Sequence, residues 1–261
     1  MYIELILFAV VGLLYGSYCS TLIYRLPRSI PIGLTRSRCN YCENPIRAYD
    51  NIPILSFLML RGKCRNCKRR ISVRYPIIEL VSAGLWVIPI LLGYPLPQAA
   101  LSGLFTMILL VIAVVYFEGS IIPNSLVITL AIISIPGFAL YVPPHWIDRL
   151  IGGFASGLLF YLFMLLSQKV LKKELIDVGE IKLAAAAGLI LGWQHSALAI
   201  GLSAVATLLL TALMKLFIHK SGRKKQAPFT LLLPAAMLVS HYFGDRFIHW
   251  CLHTVLGLSA G

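Results

Sequence analysis

The sequence predicts an all-α polytopic membrane protein with about eight transmembrane helices and a small zinc-binding cytoplasmic domain between the first two. Three observations predict it. The chain is 59% hydrophobic and 13% charged, with a mean hydropathy of +0.84 over 261 residues, values that leave little soluble mass. Apolar runs long enough to span a bilayer recur at 2–24, then at about 77–95, 98–117, 121–142, 150–167, 181–197, 199–218 and 228–244. The one long polar stretch, residues 25–75, holds two Cys-x-x-Cys pairs, Cys39/Cys42 and Cys64/Cys67, separated by 21 residues.

The first run is read as a retained helix with its N-terminus outside. In a cleaved signal peptide the basic residues precede the apolar run, whereas Arg25 and Arg28 follow it here. Gly12, Gly16, Ser17, Cys19 and Ser20 lie on or near one side of that helix, small residues that let another helix approach closely.

Residues 25–75 form the second region. Each Cys-x-x-Cys places two thiolates on one tight turn, and closing the loop between the pairs makes a four-thiolate site, with Cys39, Cys42, Cys64 and Cys67 as ligands. With four protein ligands no coordination position is left for a substrate, so the metal is expected to be structural zinc. A segment of about 50 residues is below the size at which an apolar core alone is comfortable, which gives the staple a physical reason. The net charge of +13 is not a nucleic-acid signature. Twelve of the 23 Lys and Arg residues fall between Arg25 and Arg74 against two acids, Glu43 and Asp50, the pattern of a cytoplasmic loop facing anionic membrane lipid.

The third region, 76–261, carries the other seven spans. Alternating from an outside N-terminus puts 25–75, 116–123, 168–180 and 219–227 in the cytoplasm. The last two contain Lys169, Lys172, Lys173, Lys220, Arg223, Lys224 and Lys225, while the loop from Tyr141 to Asp148 has no Lys or Arg, as the positive-inside rule requires. The tail from Phe247 to Leu258 either extends the last helix or lies on the surface.

Only ten acids exist. Glu118, Asp177 and Glu180 fall at the cytoplasmic ends of predicted spans. Two carboxyls brought together there can share one proton, one acting as base toward water while the other, neutral, polarises a carbonyl. The competing account is ordinary helix-end acids, since Glu180 near a helix start is favoured by the macrodipole alone.

Read together, the motifs resemble the type IV prepilin peptidases along essentially the whole chain. The resemblance rests on Gly16-Ser17-Tyr18, on Ile23 to Arg28, on Ser37-Arg38-Cys39 to Cys42, on Asn51 to Ser56, on Leu60 to Cys67, and on Ile71 to Pro76 with Glu79-Leu80. It continues with Pro123-Asn124, Lys182-Leu183, Ala184 to Gly188, Leu191-Gly192-Trp193 and Pro228-Phe229, after which Thr230-Leu231 stands where the family has Gly-Pro. The resemblance implies an enzyme of the bacterial inner membrane. It would cut the basic leader from type IV prepilins or pseudopilins on the cytosolic side, then N-methylate the new terminus with S-adenosylmethionine. It also implies two catalytic aspartates, one seven residues before the Pro of Pro-Asn and one ending a Gly-x-Gly-Asp motif beside Lys-Leu. Here Tyr116 and Glu180 occupy those positions, and Asp177 replaces the motif's first Gly. A phenol with a pKa near ~10 cannot serve as the carboxylate base, so a working dyad here would pair Glu118, in place of Tyr116, with Glu180. In a continuous helix Glu118 is about 200° from Tyr116, so that choice needs the helix to end or unwind before Gly119. A non-catalytic or methyltransferase-only pilus or type II secretion assembly factor that binds pilin subunits is the alternative function. No Gly-x-Gly-x-x-Gly cradle is present, so S-adenosylmethionine rests on the resemblance alone.

Overall fold

The computed structural model describes residues 2–32, 37–119, 121–140, 145–172, 176–217 and 228–254. Lys173, the loop at 141–144, the basic connection at 219–227 and the tail beyond 254 lie outside the described residues. The helices are α1 (Tyr2–Arg25), α2 (Leu55–Met59), α3 (Arg74–Leu91), α4 (Leu96–Gly119), α5 (Asn124–Leu140), α6 (His145–Leu166), α7 (Val178–Phe217) and α8 (Pro228–Thr254). Among the described residues α1, α3, α4, α6 and α7 are long and apolar enough to cross a membrane, and α5 is a shorter apolar helix.

The chain divides into two compact units, Met1–Met107 and Ile108–Gly261. In the first, α1 packs along α3 through a stripe at Phe8, Gly12, Gly16, Cys19 and Ile23, all buried. The spacing of three and four residues sets these on one helix face. Both glycines are required by the close approach. A Cβ on Gly12 would come 2.7 Å from the Ala83 backbone, and one on Gly16 would come 2.8 Å from that of Glu79. Trp86, buried in α3, stacks on Tyr15 at 5.1 Å and lies 5.8 Å from Phe8.

Between these helices each Cys-x-x-Cys closes a miniature hairpin. Arg38 pairs with Pro45 around the first and Lys63 with Arg70 around the second. The Cys39 N–H bonds the Asn44 carbonyl at 3.0 Å, and the Cys64 N–H bonds the Arg69 carbonyl at 2.9 Å. The residue after each second cysteine, Glu43 and Lys68, is left-handed at φ 55 and φ 58. The two knuckles are therefore the same turn built twice.

In the second unit, α6 and α7 meet through small residues. Ser156 Oγ donates to the Ala184 carbonyl at 2.9 Å, and a Cβ on Gly188 would come 2.5 Å from the Gly152 carbonyl oxygen. The 40-residue α7 breaks at Gly192, whose φ of 77 and ψ of 174 are not helical. Chain closure fixes the sense of that break. Thr230, near the start of α8, meets Glu180, near the start of α7. A straight α7 would carry Phe217 about 55 Å from Glu180, yet the 11 residues from Phe217 to Pro228 reach at most about 40 Å. So α7 folds back, and its two arms with α1, α3, α4, α5, α6 and α8 supply the eight expected apolar segments. The sequence put the boundary between the sixth and seventh runs between 197 and 199; it falls at Gly192 because a positive φ, which glycine tolerates, makes the turn there. At the C-terminus α8 continues through 247–254 as helix.

Candidate functional site

The four thiols come together. Every pair of Sγ atoms among Cys39, Cys42, Cys64 and Cys67 lies within 4.8 Å, with Cys39 and Cys67 at 3.8 Å. Sulfurs at the corners of a tetrahedron with metal–sulfur bonds of about 2.3 Å are about 3.8 Å apart, so this cluster can hold a metal ion with four thiolate ligands. Desolvation opposes ionisation of Cys39, but the Cys42 and Tyr41 N–H groups and the neighbouring thiols outweigh it and lower its pKa to about 7. Cys67 moves the other way. The Arg69 N–H favours its thiolate, yet desolvation and the hydrogen bonds to the other three thiols push it up to about 11.

Polar contacts lock the second knuckle to its surroundings. Arg65, between Cys64 and Cys67, grips Asp50 with two nitrogens, Nε to Oδ2 at 2.8 Å and Nη2 to Oδ1 at 2.7 Å. Its guanidinium holds the Asp50 carboxyl below the usual aspartate range. The domain is also pinned to the helices. Glu79 of α3 is buried at 7% exposure; its Oε2 accepts the Ile54 N–H at 2.8 Å, and its carboxylate also bonds the Ser17 side chain of α1. Ile54 itself sits at φ 61, a conformation a β-branched residue adopts only when its surroundings hold it there.

The acid positions converge at the starts of α7 and α8. Glu180 is 3% exposed and its Oε1 accepts the hydroxyl of Thr230, itself 2% exposed. Tyr116, one turn from the end of α4, shares a hydrogen bond with the same threonine. With the Thr230 proton on Glu180, Tyr116 is the donor in that bond, giving a relay from phenol to hydroxyl to carboxylate. Oε2 of Glu180 is buried with no partner, a polar atom that calls for a proton, a water or a ligand. Asp177 caps α7 through its Oδ1, which accepts the Val178 N–H at 2.7 Å, and its field reaches Tyr116 and Glu180. Glu118 is exposed, and α4 stays helical through Gly119. It therefore points away from the face on which Tyr116 meets Thr230. The flanking motifs join as well: Lys182 Nζ donates to Asn124 Oδ1 at 3.3 Å, and a Cβ on Gly179 would lie 3.2 Å from Ile122. Sequence reasoning missed Thr230 as a site residue. The signal was there in part, as the departure from Gly-Pro after Pro228-Phe229.

Comparison with known proteins accounts for both regions. Residues 10–92 match the bacterial peptidase A24 N-terminal domain, and residues 79–212 match the type IV leader peptidase family. A prepilin leader peptidase/N-methyltransferase of Vibrio cholerae is 33% identical over 247 residues, covering 89% of this chain and 92% of the relative. One of Stutzerimonas stutzeri is 34% identical, covering 91% and 90%. One of Bacillus subtilis is 30% identical, covering 94% and 97%. No solved structure matches. The two matched regions meet in α3 and take in both the knuckles and the helices that hold Tyr116 and Glu180, so the chain belongs to the type IV leader peptidase family.

Proposed function

We propose that this protein is a prepilin leader peptidase and N-methyltransferase of the bacterial inner membrane, acting on type IV prepilins or pseudopilins at the cytoplasmic face. The observation that carries the reading is the buried Glu180 carboxylate, with one oxygen on Thr230 and the other unpartnered, at the meeting point of the Pro-Asn and Lys-Leu motifs. Peptide hydrolysis by an acid pair needs one base and one neutral donor. Glu180 supplies the base and Tyr116 the donor, because a phenol with an ordinary pKa near ~10 is neutral in the cell and can give a hydrogen bond it could never accept as a carboxylate. A water held on Oε2 of Glu180 loses its proton to that oxygen as it attacks the scissile carbonyl, and the Tyr116 hydroxyl turns its proton from Thr230 to the developing oxyanion. The same proton then passes from Glu180 to the departing amide nitrogen as the carbon–nitrogen bond breaks. Asp177 sets the start of α7, and Glu118 stands outside this chemistry.

The four thiolates bind structural zinc, which supplies rigidity to the domain 25–75 and no open coordination position. The domain lies between the first helix, 1–24, and the seven-span region 76–261, on the cytoplasmic side with the N-terminus outside. Its partners are the N-terminal segment of the pilin and the lipid around it, not nucleic acid. S-adenosylmethionine is the methyl donor of the second activity.

The test is mass spectrometry of a purified prepilin incubated with the protein in detergent, with and without S-adenosylmethionine, beside an active family member. Leader loss is expected, and Glu180→Gln should reduce it by about 10²- to 10⁴-fold, the worth of a general base. An intact leader, while the relative cuts the same substrate, overturns the peptidase assignment. Methylation of an already trimmed pilin would then leave a methyltransferase.

A further inference from the structure

The cytoplasmic domain carries a surface that neither the metal nor the acid site uses. Ile52, Leu55, Leu58 and Met59 are exposed at 44%, 57%, 64% and 78%. Leu55, Leu58 and Met59, three and four residues apart, share one side of α2, and Ile52 precedes that helix in extended backbone. Four exposed apolar side chains of this kind in a soluble domain would be an aggregation liability.

Two observations say what covers them. The first is depth. Ile54, inside this stretch, is bonded to Glu79 and through it to Ser17. Glu79 is five residues into α3 from Arg74, about 7.5 Å along the axis, and Ser17 is eight residues from the end of α1 at Arg25, about 12 Å. The loop therefore reaches a level inside the ends of both helices, and α2 starts there, directly after Ile54. The second is charge. A pocket of about 280 Å³ is lined by Phe57 of α2, by Ile71 and Val73, and by the cations Arg61, Lys63 and Arg70. No carboxylate among the described residues pairs with these three cations, Asp50 being taken by Arg65. A positively charged leader is repelled by such cations, and an apolar pilin helix has no use for them. An anionic phospholipid satisfies both parts, its phosphate facing the cations and its chains facing the exposed apolar side chains.

We propose that α2 is an interfacial anchor, with Ile52, Leu55, Leu58 and Met59 in the acyl boundary and the Arg61, Lys63 and Arg70 pocket holding the phosphate of an anionic phospholipid. The proposal rests on the reading above only in placing the domain at the cytoplasmic face, and its test involves no cleavage.

The experiment uses the full chain in nanodiscs of mixed phosphatidylglycerol and phosphatidylcholine. Leu58→Trp adds an indole at an exposed position, so folding is not at stake. Its emission, taken as the difference from the parent protein, should be quenched by lipid brominated high on the acyl chain and little by lipid brominated near its end. Tyr41→Trp, at an exposed position on the first knuckle, serves as the unquenched control. Absence of quenching at position 58 overturns the anchor. For the pocket, native mass spectrometry of the detergent-purified protein should find phosphatidylglycerol retained over phosphatidylcholine. Replacing Arg61, Lys63 and Arg70 together by Gln should lower that ratio by roughly 10-fold. An unchanged ratio, in a variant that elutes and melts like the parent, overturns the lipid pocket.

Discussion

A single hydroxyl stands between the two groups to which the proposed chemistry is assigned. Thr230 donates to Glu180 and shares a hydrogen bond with Tyr116, so it fixes both the carboxylate and the phenol. Thr230→Val keeps the shape and removes the donor. Leaving a buried carboxylate oxygen unsatisfied costs about 1–3 kcal/mol, which should appear as a lower melting temperature in detergent, with Thr230→Ser near the parent; equal melting of all three would sink the relay. The threonine was hard to read because its partner is 50 positions away in sequence. Asp50 makes a second residue-scale prediction. Its carboxyl is depressed by Arg65, so the bond stabilises the folded domain above the unfolded aspartate pKa and is lost as pH falls through the lower folded value. Asp50→Asn should therefore loosen the second knuckle against proteolysis at neutral pH, and the gap from the parent should close below about pH 4. A gap that widens on acidification would contradict the assignment.

At the level of elements, the knuckles were the most legible part of the chain. Cys-x-x-Cys spacing dictates a tight turn, and the turn dictates where both thiolates point. That the two turns are copies, down to left-handed Glu43 and Lys68, was not legible, because neither position carries the glycine that usually marks that conformation. Metal analysis should give about one zinc per chain, and Cys64→Ser should cost both the metal and folded yield, since metal binding in such a small domain is folding free energy. A well-folded preparation without metal would defeat the zinc assignment. The end of α4 was legible in a conditional form. Geometry said Glu118 could replace Tyr116 only if the helix unwound before Gly119, and the helix persists through Gly119.

Over the whole molecule, composition carried most of the fold. Eight apolar segments follow from hydropathy because a bilayer admits little else, and the fold-back of α7 follows from reach once Thr230 is known to meet Glu180. Helix partners were less legible: small residues in α1 announced a close neighbour but not that it would be α3. Charge asymmetry makes the global prediction. With twelve Lys and Arg residues between Arg25 and Arg74, trypsin should cut this region in inside-out vesicles and spare it in right-side-out ones; the reverse pattern would invert the topology.

The tie from Glu79 to Ile54 and Ser17 bears on how freely such domains can be exchanged. Residues 25–75 look like a cassette, bounded by two helices and gathered around their own four thiols. Yet their fit is specified by a carboxylate in one flanking helix and a hydroxyl in the other. A chimera that transplants the cassette alone carries Ile54 into its strained conformation with nothing to hold it. Modularity in this chain therefore ends not at the polar boundary but a turn or two inside the flanking helices on either side.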